Sequence, residues 1–116
     1  MSAMRATNDA IPEGYARATT LAELEPGRMI GVELFGDRVC VGRIGDEVFA
    51  LEDRCTHSLF PLSRGDLHAD GTVECAWHGA RFDCRTGAAC RGPASLDVPT
   101  FDVLLHDGDV YVRPRR

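Results

Sequence analysis

Pairs of glycine and aspartate recur through this sequence and favour a fold built from short strands. Residues 36–37, 45–46 and 107–108 are such pairs, and each lies between runs rich in Val, Ile, Leu and Phe, as hairpin turns do. We predict strands at 14–19, 28–34, 38–44, 47–52, 72–75, 80–83, 100–106 and 109–113. Strands of this length and spacing indicate an all-β protein, either an antiparallel sandwich or a small barrel.

The N-terminal part of the chain lacks this rhythm. Residues 1–13 are small, polar and without periodicity, so we expect a disordered lead-in. Residues 20–23 read Thr-Leu-Ala-Glu, the form of a capping box, and Pro26-Gly27 follows closely, which predicts one short helix near the N-terminus. A chain of 116 residues has the length of one domain, which we place at 14–113.

Charge and hydropathy argue against several classes of partner. The chain carries 18 acidic and 13 basic residues, and the basic ones, all arginine, are spread from Arg5 to Arg116 rather than forming a patch for nucleic acid. No window approaches the roughly 18 to 20 apolar residues of a membrane span. The start of the chain also lacks the layout of a secretion signal. We therefore expect a soluble, cytoplasmic protein that binds neither nucleic acid nor a membrane.

Cysteine is unusually frequent for so short a chain. Five cysteines without a secretion signal indicate metal or redox chemistry rather than a disulfide framework. Four of them, with three of the four histidines and the only tryptophan, lie between Arg54 and about Pro93, where the strand rhythm breaks. Long loops within a compact domain usually carry function, so we expect the chemistry in this stretch.

Two short motifs in that stretch each combine a cysteine with a histidine. They are Cys55-x-His57 and Cys75-x-x-His78, and 17 residues separate them. The C-x-H spacing is unlike the usual zinc patterns, whereas two thiolates and two imidazoles on paired loops suit a two-iron cluster. A tetrahedral zinc site made by the same four residues is also chemically sound, so both metals stay open at this point.

The two motifs together resemble the pattern of Rieske-type [2Fe–2S] proteins, which is C-x-H, a spacer, and C-x-x-H. The similarity continues through the family's H-G-x-x-F-D-x-x-T-G pattern, which Gly79, Phe82, Asp83, Thr86 and Gly87 fit. Residues 92–94, Gly-Pro-Ala, resemble its proline loop. The resemblance spans about residues 14–113 and implies a Rieske-type antiparallel β-sandwich with a small cluster-binding subdomain of two loops at about 54–93.

By this resemblance, one [2Fe–2S] cluster per chain would be held by both motifs. Cys55 and Cys75 would bind one iron through thiolates, and His57 and His78 would bind the other through neutral imidazoles. Two ferric ions, two sulfides and two thiolates sum to about zero charge, against about −2 with four thiolates, so adding an electron costs less. The imidazole nitrogens not bound to iron would face a partner and offer the electron an exit.

The resemblance also places the chain within its family. The respiratory, high-potential branch carries an extra cysteine in each loop, and those two cysteines form a disulfide; Phe60 and Trp77 stand at those positions here. The oxygenase subunits of the family add a domain with a mononuclear iron, for which this chain is too short. The chain therefore resembles the ferredoxin components of bacterial aromatic-ring-hydroxylating dioxygenase systems.

Such a component is an electron carrier and not itself an enzyme. The resemblance implies one-electron transfer from a flavin-dependent reductase to a terminal oxygenase in aromatic hydrocarbon catabolism, and we expect a monomer. Candidate docking residues are Ser58, Leu59, Phe60, Pro61 and Trp77. The alternatives are a small Rieske subunit of another redox enzyme, similar to nitrite reductase, and a zinc-stapled binding module.

The other cysteines and histidines match no ligand position. We predict that Cys40 is a buried residue of a strand, and that Cys84 and Cys90 are structural. His68 and His106 are predicted to lie on the surface, in loops.

Overall fold

The computed structural model describes residues 11–56, 59–77, 79–92 and 96–115. Most of the predicted lead-in, residues 1–10, lies outside the described residues. The described ranges contain these strands: β1 (Ala16–Thr20), β2 (Met29–Leu34), β3 (Asp37–Ile44), β4 (Glu47–Glu52), β5 (Asp66–Leu67), β6 (Thr72–Glu74), β7 (Arg81–Asp83), β8 (Ala89–Arg91), β9 (Phe101–His106) and β10 (Asp109–Pro114). A single turn of 3-10 helix at Leu62–Arg64 precedes β5.

The strands form three antiparallel sheets. Their strand orders are β1-β10-β9, β2-β3-β4 and β5-β6-β7-β8. A bridge between Leu51 and Thr100, and a hydrogen bond from the Glu52 N–H to the Pro99 carbonyl at 2.9 Å, join β4 to the chain that enters β9. The predicted all-β antiparallel fold is confirmed. The stretch from Arg54 to about Pro93, where we expect the chemistry, follows β4 and contains the strands of the third sheet.

Glycine and aspartate occupy the hairpin turns largely as predicted. Residues 45–46 connect β3 to β4, and residues 107–108 connect β9 to β10 with φ of 55° and 80°, the left-handed conformation of a tight hairpin. The first hairpin differs by one residue. Leu34 pairs with Asp37, so that Phe35 and Gly36 form the turn and Asp37 already belongs to β3.

The predicted short helix near the N-terminus is wrong. Residues 21–24 form a turn, although the cap itself is present, because Thr20 Oγ1 accepts a hydrogen bond from the Glu23 N–H at 3.2 Å. The Leu24 N–H reaches the Thr20 carbonyl at 3.2 Å, and the chain then enters Pro26-Gly27. One such bond cannot offset the cost of starting a helix, so the capping signal produces a turn.

The buried core lies on both faces of the central sheet. Val39 and Val41 of β3 pack towards the first sheet, in a cluster with Leu24, Ala50, Phe101, Val110 and Val112. Cys40, between them, faces the opposite way and packs with Phe49, Leu51, Cys55, Leu62, Val73, Cys75, Ala80, Phe82, Cys84 and Val98. Successive residues of a strand point to opposite faces, so this one strand contributes to both clusters. The second cluster contains both motif cysteines.

Candidate metal centre

The two motif cysteines are buried at the start of two loops. Cys55 follows β4 and Cys75 follows β6, and their exposed fractions are 0% and 1%. Both belong to the same core cluster, so the fold brings together residues 20 positions apart in the sequence. Two buried thiols, each at the start of a loop, have the donor set that an iron–sulfur cluster needs on its cysteine side.

The two loops are closed by the same pair of hydrogen bonds. The Cys55 N–H donates to the Phe60 carbonyl at 2.9 Å, and the Leu59 N–H donates back to the Cys55 carbonyl at 2.7 Å. In the second loop, the Cys75 N–H donates to the Ala80 carbonyl at 2.8 Å, and the Gly79 N–H donates to the Cys75 carbonyl at 3.1 Å. Each cysteine therefore anchors a tight turn, and in the sequence each predicted histidine ligand falls between the residues that these bonds join.

Several predicted site residues fall outside the described part of the chain. They are His57, Ser58 and His78, together with Pro93 and Ala94 of the predicted proline loop. The first and second cluster loops are thus described up to Thr56 and Trp77, and again from Leu59 and Gly79.

The F-D-x-x-T-G pattern forms a turn beside the loops. Phe82 is fully buried, and Asp83 Oδ1 accepts hydrogen bonds from the Thr86 N–H at 2.9 Å and the Arg85 N–H at 2.8 Å. These backbone donors, Thr86 first, hold the pKa of Asp83 below its ordinary value. Thr86 Oγ1 in turn accepts from the Ala88 N–H at 3.2 Å. The carboxylate and hydroxyl of the motif therefore serve the backbone of the turn.

Gly87 ends this turn where the chain packs against Val98. Its φ is 75°, and its carbonyl accepts a hydrogen bond from the Val98 N–H at 2.8 Å. A Cβ at this position would overlap the Val98 carbonyl oxygen. Glycine is therefore required twice over, for its backbone conformation and for the close approach of a second chain segment.

That second segment brings a residue to the site that sequence reasoning missed. Thr56, between Cys55 and the first histidine position, donates its hydroxyl to the Leu96 carbonyl at 2.7 Å, and the Leu96 side chain is 67% exposed. The contact joins residues 40 positions apart. In the sequence, the resemblance of residues 92–94 to the proline loop indicates that this segment lies near the cluster. It does not indicate that Leu96 is the side chain exposed there.

The predicted docking residues differ in exposure. Leu59 and Trp77 are 68% and 63% exposed. Phe60 and Pro61 are half-buried, and Phe60 packs against the core. The Phe60 and Trp77 rings contact each other, with centroids 6.1 Å apart and planes tilted by 56°. This aromatic pair connects the two loops at the positions where the resemblance expects a disulfide in other members of the family.

The base of the second loop is held by an ionic network. Glu74, which immediately precedes Cys75, accepts from His68 Nε2 at 2.6 Å and lies 3.2 Å from an Arg81 nitrogen. The bond with His68 is the main reason why the pKa of Glu74 lies below its ordinary value. His68 is therefore a half-buried partner of the loop rather than the surface residue predicted. His106 is likewise the last residue of β9 and not part of a loop.

The remaining cysteines lie outside the two motifs. Cys40 is fully buried in β3, as predicted, and burial raises the pKa of its thiol well above the ordinary value. Burial also raises the pKa of the Cys84 thiol to about 11. Both groups are protonated at neutral pH and are poor nucleophiles, which agrees with structural roles. Cys90 is exposed on β8, where its thiol donates to the Ala88 carbonyl at 3.3 Å.

Comparison with known proteins decides the family. Residues 15–102 match the family described as the Rieske [2Fe–2S] domain. The chain belongs to the Rieske [2Fe–2S] domain family. A Rieske domain binds one two-iron cluster, which decides between the two metals left open by the spacing, and the buried thiols of Cys55 and Cys75 fit its sulfur side.

Relatives of this Rieske chain are carriers of similar length. The ferredoxin component of biphenyl 2,3-dioxygenase from Rhodococcus jostii (strain RHA1) is 41% identical over 90 residues, covering 78% of this chain and 83% of the relative. The ferredoxin of carbazole 1,9a-dioxygenase from Nocardioides aromaticivorans IC177 superposes with a TM-score of 0.85 at 36% identity, covering 89% of this chain and 100% of that one. A chain from a complex of reduced oxygenase and oxidized ferredoxin in carbazole 1,9a-dioxygenase gives 0.84 at 30% identity, covering 90% and 99%.

The helical content of the described residues bears on membrane crossing. Within the described ranges of this Rieske chain, no helix has the length and apolar character that a crossing requires.

Proposed function

We propose that this chain is the ferredoxin component of a ring-hydroxylating dioxygenase system. It accepts one electron at a time from a flavin-dependent reductase and delivers it to a terminal oxygenase, and it transforms no substrate itself. The support is the match to ferredoxins of the biphenyl and carbazole dioxygenases, which covers 78% and 89% of this chain. A small redox subunit similar to that of nitrite reductase is the other reading, and tight co-purification with one large partner would favour it.

The proposed ligands are Cys55 and Cys75 on one iron and His57 and His78 on the other. The observation that carries this assignment is the matched closure of the two turns, with the same two hydrogen bonds around each cysteine. Each closed turn runs from its cysteine to the fifth residue after it, Phe60 or Ala80, and its sequence contains one histidine, as a two-iron centre with one cysteine and one histidine from each loop requires. When bound, the cluster supplies a site that accepts and releases a single electron.

The proposed docking surface consists of the exposed residues Leu59, Trp77 and Leu96 and the half-buried Phe60 and Pro61, and from the sequence we add Ser58. The three large side chains are each more than 60% exposed and lie on segments joined by the Phe60–Trp77 contact and the Thr56–Leu96 hydrogen bond. The proposed occupant is the terminal oxygenase, because a close structural relative is known in complex with one. Carriers bind partners through small, short-lived contacts, and a few exposed apolar side chains suit that need.

The chain is further proposed to act as a single domain over 14–113, with a cluster-binding subdomain at about 54–93. β5 to β8 and both cysteine turns fall within that subdomain. A monomer in the cytoplasm is the proposed working form. The reducing cytoplasm keeps free thiols such as those of Cys84 and Cys90 reduced. A monomer suits a carrier because it must release one partner before it binds the next.

Electron paramagnetic resonance of the dithionite-reduced protein tests the cluster and its ligands. Nitrogen ligation of one iron lowers the average g-value below that of an all-cysteine cluster, so we expect a rhombic signal of that kind. Cys55→Ser and Cys75→Ser should abolish this signal and the visible absorbance. Cys90→Ser is the matched control, since it removes an exposed thiol of β8 and should leave the spectrum unchanged.

Two results would reject the proposal. Retention of the rhombic signal by both serine variants would reject the ligand assignment. Failure of the intact holoprotein to transfer electrons from a flavin-dependent reductase to the terminal oxygenase of the Nocardioides carbazole system, or to any ring-hydroxylating oxygenase supplied in its place, would reject the carrier role.

A further inference from the structure

Asp53 is an unusual residue of the chain because it is both charged and buried. Of the residues that the structure describes, it is the one acidic or basic residue in the buried class, with 4% exposure for the residue and none for its side chain. A carboxylate removed from water is costly unless hydrogen bonds replace its hydration. Its partners therefore show what the burial achieves.

The partners of Asp53 come from β3 and from the far end of the first cysteine loop. Oδ1 accepts from the Ser63 N–H at 2.6 Å, and Oδ2 accepts from the Ser63 hydroxyl at 2.7 Å. The Arg38 guanidinium donates to the same Oδ2 at 3.2 Å. Two of the three bonds thus tie the carboxylate to the 3-10 turn at Leu62–Arg64, ten residues further along the chain.

The backbone of Gly31 in β2 packs closely against this carboxylate. A Cβ on Gly31 would lie 2.6 Å from Asp53 Oδ2 and 2.9 Å from Ser63 Oγ, and would overlap the Arg38 side chain. The β2 backbone therefore covers the network closely, which a larger residue would prevent. Close packing by three separate chain segments fixes the direction of the carboxylate, not only its partners.

The network closes the segment that holds half of the proposed ligands. Asp53 lies two residues before Cys55, and Ser63 lies three residues after Phe60, whose carbonyl accepts from the Cys55 N–H. Inside this outer clamp, the two backbone hydrogen bonds described above close the turn around Cys55. Any movement of Ser63 away from Asp53, at the far end of this loop, breaks bonds of the clamp.

We propose that Asp53 is a positioning residue for the iron–sulfur centre, acting through Ser63 on the loop of Cys55 and His57. The inference rests on the proposed ligand assignment. Its first consequence is geometric, since the clamp holds the loop in the conformation that the cluster needs. Its second is electrostatic, because a buried carboxylate two residues from the proposed ligand Cys55 would oppose the addition of an electron to the cluster.

The test compares three variants as purified, cluster-loaded proteins. Asp53→Asn removes the charge while keeping the shape, and we expect a higher reduction potential, a changed rhombic resonance line shape and release of the cluster at least about tenfold faster. Ser63→Ala keeps the charge, so faster release without a rise in potential is expected. Asp102→Asn is the matched control, since it removes a carboxylate bonded to Arg115 at 2.9 Å on β9, a strand that carries neither loop.

The outcomes separate this inference from the proposed function. If Asp53→Asn loses only thermal stability and keeps the potential and line shape of the unmodified protein, the residue is an ordinary element of the fold and the inference is overturned. If Asp53→Asn does not fold, unchanged cluster release in Ser63→Ala overturns it equally. Absence of the rhombic signal from the unmodified protein would reject the ligand assignment and this inference together.

Discussion

Leu59 and Gly79 occupy the same place in the turns around Cys55 and Cys75, and both have a left-handed backbone, with φ of 63° and 77°. Glycine adopts this conformation freely, whereas a residue with a side chain is strained there by roughly 1–2 kcal/mol. The Leu59 side chain is 68% exposed, so burial within the fold does not offset that strain. A strained, exposed leucine is what we expect of a residue in the proposed docking surface, where contact with a partner would offset the strain.

Leu59→Gly therefore separates docking from folding. The glycine relieves strain in the folded state, which stabilises the protein, and raises the conformational entropy of the unfolded chain, which destabilises it. Because these effects oppose each other, the free energy of unfolding should stay within about 1 kcal/mol of the starting value. Electron transfer to the terminal oxygenase should slow by about threefold to tenfold, which corresponds to the loss of about 1 kcal/mol of contact. Chemical unfolding and stopped-flow transfer measurements under identical salt conditions give the two quantities.

The control for this variant is Leu105→Ser, which removes a 43% exposed leucine from β9, away from both loops. Its transfer rate should equal that of the unmodified protein. A Leu59→Gly protein that transfers electrons at the full rate, with its cluster intact, would remove Leu59 from the docking surface.

Gly87 is expected to be far less tolerant than other left-handed glycines. Gly87→Ala combines the conformational strain at φ of 75° with overlap against the Val98 carbonyl, so the free energy of unfolding should fall by about 3 kcal/mol or more. Gly108→Ala is the matched control, because φ there is 80° and an added Cβ meets no atom within 4 Å. That change should cost about 1–2 kcal/mol.

Guanidinium unfolding of the two glycine variants measures the difference directly. Equal losses in the free energy of unfolding would mean that the chain near Val98 moves aside at little cost. Gly87 would then not fix the segment from Leu96 to Val98. A larger loss at Gly87 would identify the F-D-x-x-T-G turn as the anchor of that segment.

The fold was predictable where a local pattern is long enough to be repeated. Alternation and turn pairs locate β3, β4, β9 and β10 to within a residue at each end. β5 and β8, of two and three residues, escaped prediction because no alternation develops over so short a run. The capping box at Thr20 misled for the same reason, since a correct local signal lacked the length to continue as a helix.

In the candidate site too, the residues of local motifs were predictable and those that depend on distant partners were not. Cys55 and Cys75 could be picked out because each motif is local, and both prove to be buried at the start of matched turns. Asp53 and Leu96 could not be picked out, because their roles depend on partners 10 and 40 residues away that only the folded chain brings near. Sequence spacing therefore indicates the donors, and tertiary contacts decide what holds and surrounds them.

Asp83 should make stability depend on acid pH. Backbone hydrogen bonds, first from Thr86, hold its pKa below 3.8, so the folded state favours the ionised carboxylate. The corresponding stability is fully present above pH of about 4 and is lost as the pH falls through the lower, folded-state pKa. Asp83→Asn weakens the two backbone bonds and should lower the free energy of unfolding at pH 7 by about 1 kcal/mol.

Unfolding measurements at several pH values test this. The difference in the free energy of unfolding between Asp83→Asn and the unmodified protein should narrow as the pH is lowered from 7 towards 3. Protonation removes from the unmodified protein the same charge that the amide lacks at every pH. Asp46→Asn, at a fully exposed side chain on the hairpin between β3 and β4, should differ little from the unmodified protein at either pH. A gap for Asp83→Asn that stays constant or widens in acid would mean that the carboxylate is not the form that holds the turn, and that Thr86 and Gly87 maintain it without the charge.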